Sequence, residues 1–193
     1  MKLYLTRHGE TDWNLQNKIQ GQTDILLNEK GRDQARELGK RLREGYEIRS
    51  IYTSRQKRAR ETAEVIGQAI RVTPVVKEGL EEISLGRWEG YTWSQVREQF
   101  PEEYQAWYRN RRYQVPPEGE SYQQLLDRLL PALSDIFVEH EDNVLAVAHS
   151  AVIMTLLSYM NDTPFEEMAK NYKTGNVGIV EIDPEVFRKR YGK

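Results

Sequence analysis

The 193-residue chain contains no cysteine. Disulfides, thiolate nucleophiles and cysteine-built zinc sites are therefore excluded, and the composition is compatible with a reducing compartment. No apolar run approaches the roughly 18 residues needed to cross a membrane. Met1-Lys2 and the three apolar residues after them fall far short of a secretory signal. A soluble, cytoplasmic protein with no membrane partner is the expectation. A charge excess is also missing: 28 Lys and Arg stand against 30 Asp and Glu, for a formal net charge of −2. No global basic field argues for a nucleic-acid partner.

Familiar motifs are absent too. There is no H-x-H, no H-E-x-x-H and no Asp-rich loop, so no metal site is expected. Walker loop, dinucleotide fingerprint and G-x-S-x-G elbow are all missing. No cofactor is expected.

What remains is an ordinary globular composition, 38% apolar and 30% charged, at a length that suits one substantial core. Arg supplies 18 of the 28 basic residues, and guanidinium suits bidentate contact with phosphate or carboxylate. Strand patterns at Leu3–Thr6, Ile51–Thr53, Val72–Val76, Val144–Ala148 and Gly178–Ile182 alternate with helical ones. Helices are expected from Asn28 to about Arg43, Arg58 to about Ala69, Ser121 to about Glu139 and Ala151 to about Tyr159, with a short piece after Pro164. Pro74 places the third strand at a sheet edge. The continuous apolar run Val144–Ala148 reads as a strand buried on both faces. This is an α/β pattern: three layers, with a largely parallel sheet flanked by helices. A single domain over 1–193 is expected. Within it, 84–120 is rich in Gly, Pro and aromatic residues and reads as a cap-like helical insertion over the sheet's active edge. Trp88, Tyr91, Trp107 and Tyr108 are expected to form an aromatic mouth there.

Two of the three histidines end strands. His8 follows Leu3–Thr6 and Arg7, and His149 follows Val144–Ala148. In open α/β sheets ligands bind beyond the carboxyl ends of strands, so two such strands can bring two imidazoles to one crevice. A strand-end histidine on its own commonly just bonds its own loop. With metal and hydrolase motifs missing, His8 as nucleophile or acid/base remains, and Arg7 beside it makes sense if the electrophile is anionic. A neighbouring guanidinium also keeps an imidazole neutral and nucleophilic. His140 sits among Glu139, Glu141 and Asp142 and reads as a solvated helix end.

The chain resembles the histidine phosphatase superfamily, the phosphoglycerate-mutase-like proteins with an Arg-His-Gly motif. The matching series runs through Arg7-His8-Gly9-Glu10-Thr11, Trp13-Asn14, Gln20–Asp24 and Leu27–Gly31. It continues through Thr53-Ser54, Arg58-Ala59, Leu80–Glu82, Trp88–Gly90, Gly119–Ser121 and His149. The resemblance implies that His8 takes a phosphoryl group, that Arg7, Arg58 and His149 surround its oxygens, and that Glu82 is the proton donor. It further implies that Asn14, Gln20, Gly21 and Ser150 bind substrate, and that backbone N–H groups at Ser150-Ala151 face the anion. Ser150-Ala151 replace the Gly-Gly or Gly-Asn common in the family, and Met154 replaces an Arg.

The expected activity is a metal-independent phosphomonoesterase acting on a small phosphorylated metabolite through phosphohistidine. The alternative is a cofactor-dependent phosphoglycerate mutase. Against it, 83–120 is short for a mutase of this family, and Gly119-Glu120-Ser121 leans toward the phosphatase branch. A non-catalytic phospho-ligand module would not need Glu82. Monomer and homodimer both remain open.

Overall fold

The apolar run Val144–Ala148 sits in the middle of a five-stranded sheet, as its unbroken apolar character requires. In the computed structural model, which describes residues 1–192, the strands are β1 (Leu3–Arg7), β2 (Ile48–Thr53), β3 (Pro74–Val76), β4 (Asn143–Ala148) and β5 (Ile179–Ile182). Lys193, the end of the expected domain, lies outside the described residues. Spatial order is β3-β2-β4-β1-β5, parallel except for β5, which runs antiparallel to β1. β3 occupies an edge and Pro74 is its first residue, where a missing N–H costs no ladder bond.

Strand residues alternate between two cores. Leu3, Leu5, Val144 and Ala146 point to a core shared with α6 (Tyr122–Glu139) and α7 (Ser150–Met160). Tyr4, Leu145 and Val147 point the other way, onto Leu38 and Leu42 of α2 (Glu29–Gly45) and Ala59, Ala63 and Ile66 of α3 (Lys57–Ile70). The result is the expected three-layer α/β fold. Helix starts follow capping chemistry: Asn28 accepts from the Gly31 N–H, and Ser121 closes a capping box with Gln124.

Two expectations need correction. Trp88 and Trp107 do not line a mouth; both are fully buried and meet edge-on at 5.4 Å within the core. They lie among α4 (Trp93–Gln99), α5 (Pro101–Arg109) and α6, and Tyr108 projects into solvent. Trp93 and Tyr122 line the cavity instead. His140 is no free helix end: its Nε2 meets the Tyr52 hydroxyl of β2 at 2.8 Å. The chain also closes with an unexpected helix at Pro184–Tyr191, capped by Asp183. Its Asp-Pro start is a recognisable signal, but its eight residues form a short run.

The turn after β1 packs tightly on the start of α2. A Cβ on Gly31 would overlap the Glu10 carbonyl, whereas one on Gly45, at the other end of the same helix, meets nothing within 4 Å. Gly31→Ala is therefore expected to lower Tm by about 2–10 °C through overpacking. Gly45→Ala should leave Tm unchanged or raise it. Equal Tm values for the two variants in calorimetry would contradict this packing.

Candidate active site

Arg7 and Ala148 are register partners at the ends of β1 and β4, so His8 and His149 leave the sheet side by side. Their ring centroids lie 5.3 Å apart, and both rings are buried. Asn176 Nδ2 donates to the His8 carbonyl at 2.9 Å and fixes the backbone there. His8 Nδ1 lies 2.7 Å from the Gly9 carbonyl oxygen. A carbonyl only accepts, so Nδ1 carries the proton and Nε2 the lone pair. Arg58 Nε donates to that lone pair at 3.2 Å. Burial, then Arg58, then Arg7 hold His8 well below its usual 6.5. Arg7 thus has the expected effect on His8, but Arg58 is the guanidinium in contact. His149 is lowered in the same way, by burial first and Arg58 second, and its Nε2 meets Ser54 Oγ at 2.6 Å.

Arg58 sits in the first turn of α3 and is 0% exposed, although its basic neighbours suggest a solvated start. Its charge is satisfied by a loop more than thirty residues earlier. Nη2 donates to the Gly21 carbonyl at 2.6 Å and Nη1 to the Thr23 carbonyl at 2.8 Å. Burial pulls the guanidinium down to about 10, so it stays charged at neutral pH. Glu89 holds that loop, accepting from the Gln22 and Thr23 N–H groups at 3.0 and 2.9 Å and from Thr23 Oγ1. Gly21 has φ +49°, and a Cβ there would strike the Glu89 carboxylate, so glycine is required.

Glu82 enters from the loop between β3 and α4. Its Oε1 accepts from the Ile83 N–H at 3.0 Å and its Oε2 from the Ala151 N–H at 3.2 Å. The Ala151 donor expected to face a bound anion is therefore engaged by Glu82. Burial raises the carboxyl above its ordinary 4.5, while Arg58 and the two backbone N–H groups oppose the shift. Glu81 turns away, accepting from the Gly79 N–H and pairing with Arg128. Arg128 Nη2 in turn donates to the Glu82 carbonyl at 3.1 Å.

Of the expected site residues, all but His149 line one cavity of about 360 Å³, and His149 packs directly against His8. Asn14 presents its amide nitrogen, because Oδ1 accepts from the Thr11 N–H at 3.0 Å to close a helix cap. Gln20 and Ser150 lie on the wall, with Gln20 Oε1 buried and unpartnered. Reading the sequence missed Lys18, Arg111 and Tyr122 on the rim, and Gln56 behind the site. Among the described residues, no group of three or more His, Asp or Glu could hold a metal ion. No described helix is long and apolar enough to cross a membrane.

The buried imidazoles have a consequence for stability. The unfolded chain protonates His8 and His149 below about pH 6.5, while the fold keeps both neutral. The unfolded state then binds more protons, so stability falls as pH drops through that value. Glu82 acts in the opposite sense, because its raised folded value favours the fold at low pH and that benefit is lost as pH rises. Urea unfolding is expected to show stability declining from about pH 7.5 to 5 in the wild type, less steeply in a His8→Asn/His149→Asn variant. Equal slopes would contradict neutral buried imidazoles.

A model of the family described as "Histidine phosphatase superfamily (branch 1)" matches residues 3–191. Rat 6-phosphofructo-2-kinase/fructose-2,6-bisphosphatase 3 is 37% identical over 167 residues, 86% of this chain but 29% of the relative. The chain thus spans under a third of that bifunctional protein. The uncharacterized phosphatase PhoE of Bacillus subtilis is 37% identical over 186 residues, 95% of this chain and 90% of the relative. A solved phosphoserine phosphatase from Entamoeba histolytica, in complex with 3-phosphoglyceric acid, is 31% identical. It covers 93% of this chain and 89% of its own, with a TM-score of 0.80. With its paired strand-end histidines and a family match running almost from end to end, the chain belongs to the histidine phosphatase superfamily.

Proposed function

We propose that the protein is a metal-independent phosphomonoesterase that hydrolyses small phosphorylated metabolites through a phosphohistidine on His8. The observation that carries this reading is the buried, neutral His8 on the cavity wall, whose Nε2 lone pair accepts from Arg58 Nε, with Glu82 in the same cavity.

In the first step the Arg58 Nε hydrogen bond to His8 Nε2 breaks, the freed lone pair attacks phosphorus, and the P–O bond to the leaving group breaks. Arg58 and Arg7 offset the charge on the equatorial oxygens, and Asn14 adds a donor; phosphoryl transfer depends mostly on such positioning and charge stabilisation. Protonated Glu82 gives its proton to the departing alkoxide. A bound phosphate dianion raises that carboxyl further, in the direction burial has already set. In the second step the Glu82 carboxylate takes a proton from water, which attacks phosphorus. The P–N bond breaks, returning neutral His8 and orthophosphate. The cavity volume suits a small ester. The phosphatase relative and the neighbour bound to 3-phosphoglyceric acid support the same substrate class.

Purified protein is expected to release orthophosphate from p-nitrophenyl phosphate and from small alkyl phosphates, at rates EDTA does not change. His8→Ala should reduce this to background. Loss of activity with EDTA, or a His8→Ala variant with wild-type turnover, would overturn the proposal. Glu82→Gln is expected to cut turnover on alkyl esters by about 10²–10⁴-fold, and less on aryl esters, whose leaving group needs no proton. Equal losses would remove Glu82 as the proton donor.

A further inference from the structure

Gln56 occupies the N-cap position of α3, yet its side chain makes no capping bond. Ser, Thr, Asp and Asn are the residues that stabilise helix starts from this position. Here Asp24, from the earlier loop, takes over by accepting from the Lys57 N–H at 2.7 Å. The Gln56 amide is free to reach elsewhere, and it turns inward to 5% exposure. A local rule broken without local gain points to a role in the site.

Its two ends meet the two halves of the proposed chemistry. Nε2 donates to the Gly21 carbonyl at 2.9 Å, the same oxygen that accepts from Arg58 Nη2. Oε1 accepts from the Glu82 backbone N–H at 2.8 Å. Ser54 Oγ, hydrogen-bonded to His149, lies 3.5 Å from that Oε1. One buried amide thus links the acceptor that seats Arg58 with the backbone that carries Glu82. We infer that Gln56 is a positioning residue that sets the proton-donating carboxyl and the phosphoryl-binding guanidinium at a fixed separation.

An amide suits this task because it both donates and accepts in one rigid plane. Leucine and methionine match its bulk and remove both bonds. Without Oε1 the Glu82 N–H loses its partner and the carboxyl swings more freely relative to the leaving oxygen. Without Nε2 the Gly21 carbonyl keeps only Arg58. The inference rests on the phosphatase reading above, with Glu82 as proton donor.

The test measures kcat on glycerol phosphate and on p-nitrophenyl phosphate for wild type, Gln56→Leu, Gln56→Met, Glu82→Gln and the Gln56→Leu/Glu82→Gln double variant, with melting temperatures alongside. Misplaced catalytic groups can cost up to two orders of magnitude, so each Gln56 variant should lose about 10–100-fold on the alkyl ester. The aryl ester should lose only a few-fold. In the Glu82→Gln background the extra alkyl-ester loss should shrink to the few-fold loss seen on the aryl ester, because the carboxyl is already removed and only the Arg58 arm remains. Orthophosphate inhibition should weaken by about 5-fold, the worth of one hydrogen bond, through the Arg58 arm. An unchanged alkyl-to-aryl ratio, an extra loss of about 10-fold or more that persists in the Glu82→Gln background, or failure of both Gln56 variants to fold would each make Gln56 a structural residue and overturn the inference. A wild-type protein inactive on both esters instead sinks the phosphatase reading, and the Gln56 inference falls with it.

Discussion

The contact between Arg58 Nε and His8 Nε2, buried under the ends of the two central strands, is the constraint on which the other parts of the site depend. A guanidinium withdrawn from water is costly unless its donors find acceptors. The fold meets three of the five N–H groups of Arg58, with carbonyls from Gly21 and Thr23 and with the imidazole itself. The left-handed turn at Gly21, the Glu89 carboxylate that holds it and the Gln56 amide behind it all follow from this requirement. The same charge explains the state of the imidazoles. Two cations and a dry environment keep both rings neutral, and the acidic groups acting on Arg58 are Glu82, Asp24 and Glu89. In the proposed mechanism the incoming phosphoryl group brings its own negative charge to Arg58 and Arg7.

Glu82 and the phosphoryl cluster are opposed by design of the backbone. The carboxyl lies close enough to Arg58 to be drawn toward ionisation and is buried deeply enough to resist it. The Ala151 and Ile83 N–H groups hold it in place. A group balanced in this way changes protonation when a dianion enters or leaves. A two-step transfer asks for that behaviour, first an acid and then a base.

Much of this was legible in the sequence, for identifiable reasons. β4 declares itself because an apolar run with no polar alternation fits only a strand covered on both faces. The paired histidines are visible because each interrupts a strand pattern abruptly, and β1 and β4 turned out to be adjacent and in register. Other features depend on partners distant along the chain. Arg58 looks solvated in its local basic run, since the carbonyls that bury it lie in the 21–23 loop. Trp88 and Trp107 look like mouth residues by composition, but nothing local tells which face of the insertion meets α6. The Ala151 N–H reads as available to an anion from its place at a helix start, but Glu82, 69 residues away, holds it. Gln56 carried a local signal, a poor capping residue at a helix start, whose meaning emerges only from its two distant partners.

The central claim is covalent: a phosphoryl group passes through His8 Nε2. Quenching the enzyme in alkali during turnover of a labelled phosphomonoester, then mapping the label, tests it directly. The account predicts an acid-labile, alkali-stable phosphoryl group on His8, bonded at Nε2 because Nδ1 is committed to the Gly9 carbonyl. No label on the protein, or label on His149 in place of His8, would contradict it.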